Sequence, residues 1–240
     1  MASAGETLTV DGLRAHLSRP GRRGKGGVLV LPTIVGIEEH MYGICEKLND
    51  AGLLALVWDP FSAYPADTPL AQLWPIARDE LDDRPAQREQ MRWVGYMQRE
   101  LGVENVGTIG FCLGGRMVFT LAAADPRIKA VAAYHPSIEH DCPARHLDAV
   151  ALARDIACPV QVMYPGRDHI TKRETFVALR EALESRPAPT IAHLYPECDH
   201  GFMEHSNPIS GVDRSQNPAN REATRIAWAQ TAAFFQACLL

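Results

Sequence analysis

Apolar runs alternate with segments of helical spacing along most of the chain. Residues 27–32, 53–60, 106–111 and 128–136 are mostly apolar, as expected of strands covered on both faces. Two further runs, within 159–169 and 191–202, close on short polar turns. Apolar residues at helical spacing predict helices at 38–50, 87–101, from 113 onward, 171–185 and 221–240. This alternation predicts an α/β fold with a mostly parallel central sheet, helices on both faces and residues 27–32 near the centre.

Three other segments depart from this alternation. Asp11-Gly12 separates two short alternating runs at 7–10 and 13–17, which predicts a two-residue hairpin forming an antiparallel edge. Residues 61–85 carry or adjoin five prolines and are predicted to be irregular, either folding over the site or covering the surface elsewhere. The tract 137–155 begins as a polar loop.

The junction between the run at 106–111 and the following helix has the spacing of a nucleophile elbow. Gly110 and Gly114 stand two residues either side of Cys112, where a strained strand-to-helix turn leaves no room for side chains. Such a turn directs the first helical N–H groups at whatever lies over the sulfur. An alternative is that the glycines only let a strand meet a helix and that Cys112 is a small buried apolar residue.

Two downstream motifs favour the catalytic interpretation. Asp168 follows one predicted strand in Gly166-Arg167-Asp168, and His200 follows the next. Open α/β sheets place their sites at the carboxyl ends of strands. The order nucleophile, acid, histidine is that of α/β-hydrolase triads.

The sequence resembles the dienelactone hydrolase (carboxymethylenebutenolidase) family of α/β-hydrolases. The resemblance is carried by the motifs at 110–115, 166–169 and 199–202 and extends over most of the chain. It implies one α/β-hydrolase domain over residues 1–240, with Cys112 as nucleophile, His200 as base and Asp168 as its orienting partner. It also implies an oxyanion hole formed by the backbone N–H groups of Leu113 and Ile34.

Two positions depart from the family pattern. The family usually has a glutamate near the cysteine where this chain has Thr33, which leaves His200 and the helix N-terminus to generate the thiolate. Glu38 or Glu39 could substitute, although both are better interpreted as helix-start residues. Glu204 stands near the position of a family arginine that binds the substrate carboxylate, and it disfavours an anionic substrate.

Other residues are candidates for the pocket. His135 ends a predicted strand and either lines the pocket or is a structural histidine, and Phe202 follows the catalytic histidine. The candidate pocket set is Thr33, His135, Phe202 and Glu204. Arg78, Arg84 and Arg88 lie in the region from which some family members recruit arginines, and solvated charge is their default interpretation.

Composition limits the classes of partner. The 240 residues are 46% hydrophobic with a net charge of −5 and no long basic run, which argues against nucleic acid. No stretch of about 18 apolar residues and no leader pattern occurs, so we expect a cytoplasmic protein without a membrane partner, as monomer or homodimer. Six scattered cysteines predict reduced thiols. The loop residues His140, Asp141, Cys142 and His146 follow no recognised metal-ligand spacing, so neither a metal nor a cofactor is predicted.

These features predict a hydrolase of activated esters or lactones that acts through a thioacyl enzyme. A cysteine thiol has an ordinary pKa of about 8.5, so a tetrahedral intermediate that bears both groups expels the thiolate in preference to an alkoxide. Substrates therefore need enol, aryl or thiol leaving groups. One alternative is a thioesterase or an esterase of small neutral esters. Another is a hydrolase-fold binding protein whose catalysis has weakened.

Overall fold

The computed structural model describes residues 5–22, 24–138, 144–203, 209 and 211–240. Its strands are Glu6–Val10 (β1), Leu13–Ser18 (β2), Gly26–Leu31 (β3), Leu54–Trp58 (β4), Asn105–Phe111 (β5), Ile128–Tyr134 (β6), Val160–Arg167 (β7) and Thr190–Asp199 (β8). They form one sheet in the order β1-β2-β4-β3-β5-β6-β7-β8. From β4 to β8 across the sheet all pairings are parallel, with β3 inside as predicted.

Helices cover both faces of the sheet. They are Glu39–Asp50 (α1), Leu70–Asp79 (α2), Asp83–Arg99 (α3), Leu113–Ala124 (α4), Ala149–Leu152 (α5), Arg173–Glu184 (α6) and Pro218–Leu239 (α7). Short 3₁₀ turns occupy Ala153–Asp155 and Arg214–Gln216. Among the described residues, none of the helices combines the length and apolarity needed to cross a membrane.

The predicted hairpin is present at the sheet edge. Val10 of β1 lies opposite Leu13 of β2, so the loop is the two residues Asp11 and Gly12. Both have positive φ, 49° and 79°, which matches the twist that a two-residue hairpin requires. β2 then pairs antiparallel with β4. The predicted fold class is confirmed.

Alternate residues of the central strands feed two separate cores. Leu29 and Leu31 of β3 pack on the face covered by α3, α4 and α6, whereas Val28 and Val30 pack on the face covered by α1 and α7. All four side chains are fully buried. The sheet is therefore sandwiched between helices, and its site-bearing loops leave from a rigid edge.

The segment predicted as irregular is partly helical. α2 forms between two short loops although Pro75 lies inside it, and α3 begins at Asp83, earlier than predicted. Leu73 and Ala77 of α2 bury against Phe61 in a small separate core. Proline removes a helix hydrogen bond, and here tertiary packing outweighs that local loss. The prediction for residues 61–85 was wrong in this respect.

Candidate active site

Cys112 occupies a strained turn between β5 and α4. Its φ of 52° and ψ of −113° are unusual for a residue with a side chain. Its N–H donates to Tyr134 O (3.1 Å) and to His135 Nδ1 (3.2 Å). Its carbonyl accepts from Ser137 N–H (2.9 Å) and from Arg116 N–H (3.1 Å). Contacts from β6 and from α4 therefore hold the nucleophile elbow in place.

The two flanking glycines are required by close backbone approach. A Cβ at Gly110 would lie 2.1 Å from the Gly114 oxygen, and one at Gly114 would lie 2.1 Å from the Leu31 oxygen. Gly114 N–H donates to Pro32 O at 3.1 Å. The glycine spacing predicts a tight turn here, and in the structure the elbow is packed directly against the end of β3.

His200 and Asp168 meet at the same edge of the sheet. His200 Nδ1 lies 2.9 Å from Asp168 Oδ2 and 3.1 Å from Oδ1, and both side chains are almost completely buried. Asp168 Oδ1 also accepts from the N–H groups of Ile170 and Thr171. The carboxylate is thereby fixed by its own loop, and it orients the imidazole so that Nε2 faces away from it.

The backbone before His200 is anchored to the start of α7. Asp199 Oδ2 accepts from the side-chain amides of Asn217 and Asn220, and Asp199 N–H donates to Asn220 Oδ1. Gly201 then turns the chain with φ of 77°. These contacts place the histidine at the carboxyl end of β8.

Ser137 lies between Cys112 and His200, and sequence reasoning did not identify it. Its Oγ lies 3.0 Å from Cys112 Sγ, a contact in which either atom can donate, and 3.4 Å from His200 Nε2. The residue is 8% exposed. Because it follows β6 by three residues, the rule that places sites at the carboxyl ends of strands could have included it.

Burial and the charge on Cys112 change the pKa of His200 in opposite directions. Burial by itself lowers the pKa of this imidazole, but the negative charge of the nearby Cys112 sulfur and the hydrogen bond to the Asp168 carboxylate raise it to about 10. These contacts favour a protonated imidazole beside Asp168.

His135 lies beneath the elbow as a neutral imidazole. It is fully buried with φ of 35°, and burial, followed by the charges of His200, Arg214 and His40, lowers its pKa well below the ordinary value. Since Nδ1 accepts from Cys112 N–H, the proton is on Nε2, which has no hydrogen-bond partner among the described residues. Of the two interpretations of His135, this geometry favours the structural one.

The loop after β3 lies against the elbow. Gly36 N–H donates to Thr33 O (3.0 Å), and the buried Thr33 Oγ1 accepts from Val35 N–H (3.4 Å). Leu113 is the first residue of α4, so its N–H has no acceptor within the helix. Ile34 is in the turn between Thr33 and Gly36, on the segment that receives Gly114 N–H.

Glu38 is a helix-capping residue rather than a substitute for the missing glutamate. Its carboxylate accepts from His40 N–H at 3.2 Å at the start of α1. Burial raises its pKa, partly offset by that hydrogen bond. Glu39 is the first residue of the helix.

The remaining pocket candidates differ in placement. Phe202 is 2% exposed and contacts the rings of Tyr134, His135 and Tyr195, so it contributes to the core beneath the site. Glu204 lies outside the described residues. Arg78 is paired with Asp79 and lies over the Trp74 ring.

A cavity of about 350 Å³ lies beside the loop after β3. Val35 and Ile37 line it from that loop, and Phe61 and Leu73 line it from the segment that follows β4. Cys112 is not among its lining residues, so this cavity does not cover the thiol.

Metal ligation finds no support in the part of the chain that the structure describes. No group of three or more His, Cys, Asp or Glu side chains there could hold an ion. His146 Nε2 lies 3.7 Å from Asp82 Oδ2, and residues 140–142 lie outside the described ranges. The five described cysteines are free thiols.

The fold and the site together define an α/β-hydrolase. The defining features are the sheet order, the elbow at the end of β5, and the acid and histidine at the ends of β7 and β8. The sequence model of the Dienelactone hydrolase family matches residues 13–239, and the chain belongs to that family. A provisionally named carboxymethylenebutenolidase of Escherichia coli (strain K12) is 27% identical over 213 residues, which cover 82% of this chain and 76% of that protein. The carboxymethylenebutenolidase of Rhodococcus opacus is 27% identical over 218 residues, 89% of this chain and 82% of that protein.

Solved structures support the same fold. Dienelactone hydrolase from Anabaena variabilis ATCC 29413 superposes with a TM-score of 0.70 at 14% identity, covering 98% of this chain and 99% of that one. The dienelactone hydrolase-like promiscuous phosphotriesterase P91 from metagenomic libraries gives 0.73 at 19% identity, covering 100% of both chains. At such identities the likeness concerns the fold alone.

Proposed function

We propose that this chain hydrolyses activated esters or lactones through a thioacyl intermediate on Cys112. The observation that carries the proposal is the continuous line of contacts from Cys112 Sγ through Ser137 to His200 Nε2, with Nδ1 held by Asp168. A nucleophile, a base and an orienting carboxylate in hydrogen-bond succession form the minimal apparatus for acyl transfer.

The first half-reaction forms the thioester. The thiolate attacks the acyl carbon, and the carbonyl oxygen becomes an oxyanion between the N–H groups of Leu113 and Ile34. As the tetrahedral intermediate collapses, His200 Nε2–H gives its proton to the leaving group. An enolate, aryloxide or thiolate leaves readily. An alkoxide leaves more slowly than the Cys112 thiolate, so an alkyl ester returns to substrate.

The second half-reaction restores the enzyme. His200 Nε2 accepts a proton from water as the water oxygen attacks the thioester carbon. Collapse expels the Cys112 thiolate and releases the carboxylic acid. Asp168 stabilises the imidazolium in both halves without itself taking the proton.

A panel of substrates tests this function. We expect wild type to hydrolyse a dienelactone, a neutral aryl ester or an acyl thioester, and Cys112→Ala to lose about 10³-fold or more in kcat/KM. The matched control is Cys45→Ala, which also removes a buried thiol but lies on α1, where burial raises the thiol pKa to about 12. Trapping of an acyl group on Cys112, seen as a mass increment, supports the thioester.

Equal turnover by wild type and Cys112→Ala contradicts the mechanism. The preferred panel member separates a lactonase or aryl esterase from a thioesterase. If a folded wild type hydrolyses nothing and its Cys112 is inert to alkylation, the alternative of a hydrolase-fold binding protein is supported instead.

A further inference from the structure

The hydroxyl of Ser137 lies between the nucleophile and the base. It is 3.0 Å from Cys112 Sγ and 3.4 Å from His200 Nε2, so it contacts both atoms between which the activating proton moves. The backbone N–H of Ser137 also donates to the Cys112 carbonyl at 2.9 Å. Its position is therefore fixed relative to the elbow.

Hydrogen bonds on both sides of Ser137 attach it to the loop of the acid. Thr171 Oγ1 donates to Pro136 O (2.5 Å) and accepts from Ile138 N–H (2.9 Å). Thr171 N–H donates to Asp168 Oδ1 (2.9 Å). The residues before and after Ser137 are thus held by the same threonine that belongs to the carboxylate turn.

We propose that Ser137 relays the proton from Cys112 to His200 and then donates its own hydrogen bond to the thiolate. The thiol proton passes to Ser137 Oγ while the hydroxyl proton passes to Nε2, so one S–H bond breaks, one N–H bond forms and the serine stays neutral. The relay deepens the proposed function and rests on it, because it assigns how the nucleophile is generated. Ser137 gives the Cys112 sulfur a direct polar contact. Thr33, at the position where the family glutamate is usual, is hydrogen-bonded within its own loop instead.

The charge state of the neighbours agrees with this route. Burial lowers the pKa of His200, and the charge of Cys112 together with the hydrogen bond to Asp168 raises it to about 10, which favours an imidazole that holds the transferred proton. Within the described ranges, the other titratable or charged groups near the pair are His135, His169, Asp168, His40 and Arg214. All of them remain when the serine hydroxyl is removed, so a change measured in such a variant reports the hydroxyl itself.

The test is the pH dependence of Cys112 alkylation by iodoacetamide, followed by peptide mass analysis. Burial raises the pKa of Cys45 to about 12 and those of Cys158 and Cys198 to about 11, so these thiols react slowly near neutral pH. We expect Ser137→Ala to raise the half-maximal pH of alkylation by about one unit, since a hydrogen bond to a charged group is lost. At pH values below both midpoints, alkylation slows about tenfold.

Three variants complete the experiment. Ser137→Thr keeps a hydroxyl and is expected to keep the wild-type midpoint, while Ser137→Gly repeats the deletion if the alanine variant does not fold. Ser18→Ala is the matched control, because Ser18 is also buried but bonds Asn49 far from the site. An unchanged midpoint in a folded Ser137→Ala or Ser137→Gly overturns the relay, as does a folded Ser137→Thr that shifts as alanine does.

Alkylation needs no substrate, so the two proposals fail separately. If the midpoint shifts and no ester is hydrolysed, the hydrogen bond from Ser137 to the thiolate stands and the proposed function is wrong. If esters are hydrolysed through Cys112 and the midpoint does not move, the function stands and the relay is wrong.

Discussion

Replacing Gly114 by alanine tests whether the elbow depends on backbone packing. The new Cβ would lie 2.1 Å from Leu31 O and 2.5 Å from Pro32 O. Non-bonded carbon contacts are favourable only from about 3.5 Å, so the closer atom pair is too near by about 1.4 Å. Leu31 pairs with Gly110 inside the sheet and cannot easily withdraw. The start of α4 must therefore move.

Such a movement displaces the reacting groups. It breaks the bond from Gly114 N–H to Pro32 O and shifts Cys112 relative to Ile34. A displacement of about 1 Å can lower a rate by about 10²-fold, and overpacking costs about 1–3 kcal/mol of stability. We expect Gly114→Ala to lose activity, measured as kcat/KM, and stability, measured as the free energy of unfolding in urea.

A glycine elsewhere provides the control. Gly43 lies inside α1, and a Cβ there would meet nothing within 4 Å. Gly43→Ala should retain full activity and gain about 0.5–1 kcal/mol of stability, since alanine is the better helix residue. Wild-type activity and unfolding free energy in Gly114→Ala would refute the packing argument.

Two further predictions concern buried charges. Asp83→Ala leaves the Arg116 side chain, which is 3% exposed, without its carboxylate partner. The free energy of unfolding, measured in urea, should fall by about 3–5 kcal/mol. As the control, Lys25→Ala at an exposed ion pair should lower it by no more than about 1 kcal/mol. A loss below about 1 kcal/mol for Asp83→Ala would show that the buried pair is not needed. NMR of the imidazole should show His200 protonated up to about pH 10 in wild type. The midpoint of this titration should fall in Cys112→Ala, because the charge that raises the pKa is gone while burial still lowers it. A midpoint unaffected by Cys112→Ala would contradict that cause.

Local signals in the sequence were sufficient for the sheet and its site-bearing loops. Apolar runs predicted the inner strands, and the glycine spacing predicted the elbow, because both depend on contacts that any sequence in those positions must satisfy. The placement of Asp168 and His200 together followed from one rule about parallel strands. Their catalytic roles remain predictions.

Long-range contacts explain what sequence reasoning missed. The carbonyls at the end of α2 accept hydrogen bonds from Arg145, 68 residues after Ala77, and no local pattern indicates that cap. Ser137 meets His200 across 63 residues, so its role depends on how β6 and β8 are brought together. Proline content predicted an irregular segment because the stabilising partners of α2 are distant in sequence.

The bonding of the elbow has a consequence for folding. Outside its own helix, Cys112 takes its backbone partners from the end of β6 and the residues after it. Gly114 takes its partner from the end of β3, which precedes β5 by more than seventy residues. Non-local pairing of this kind is slow to form. We therefore expect the environment of the Cys112 thiol to form only when the centre of the sheet is complete. A chain with native helices but an unpaired β3 would contain the cysteine without the turn that holds it.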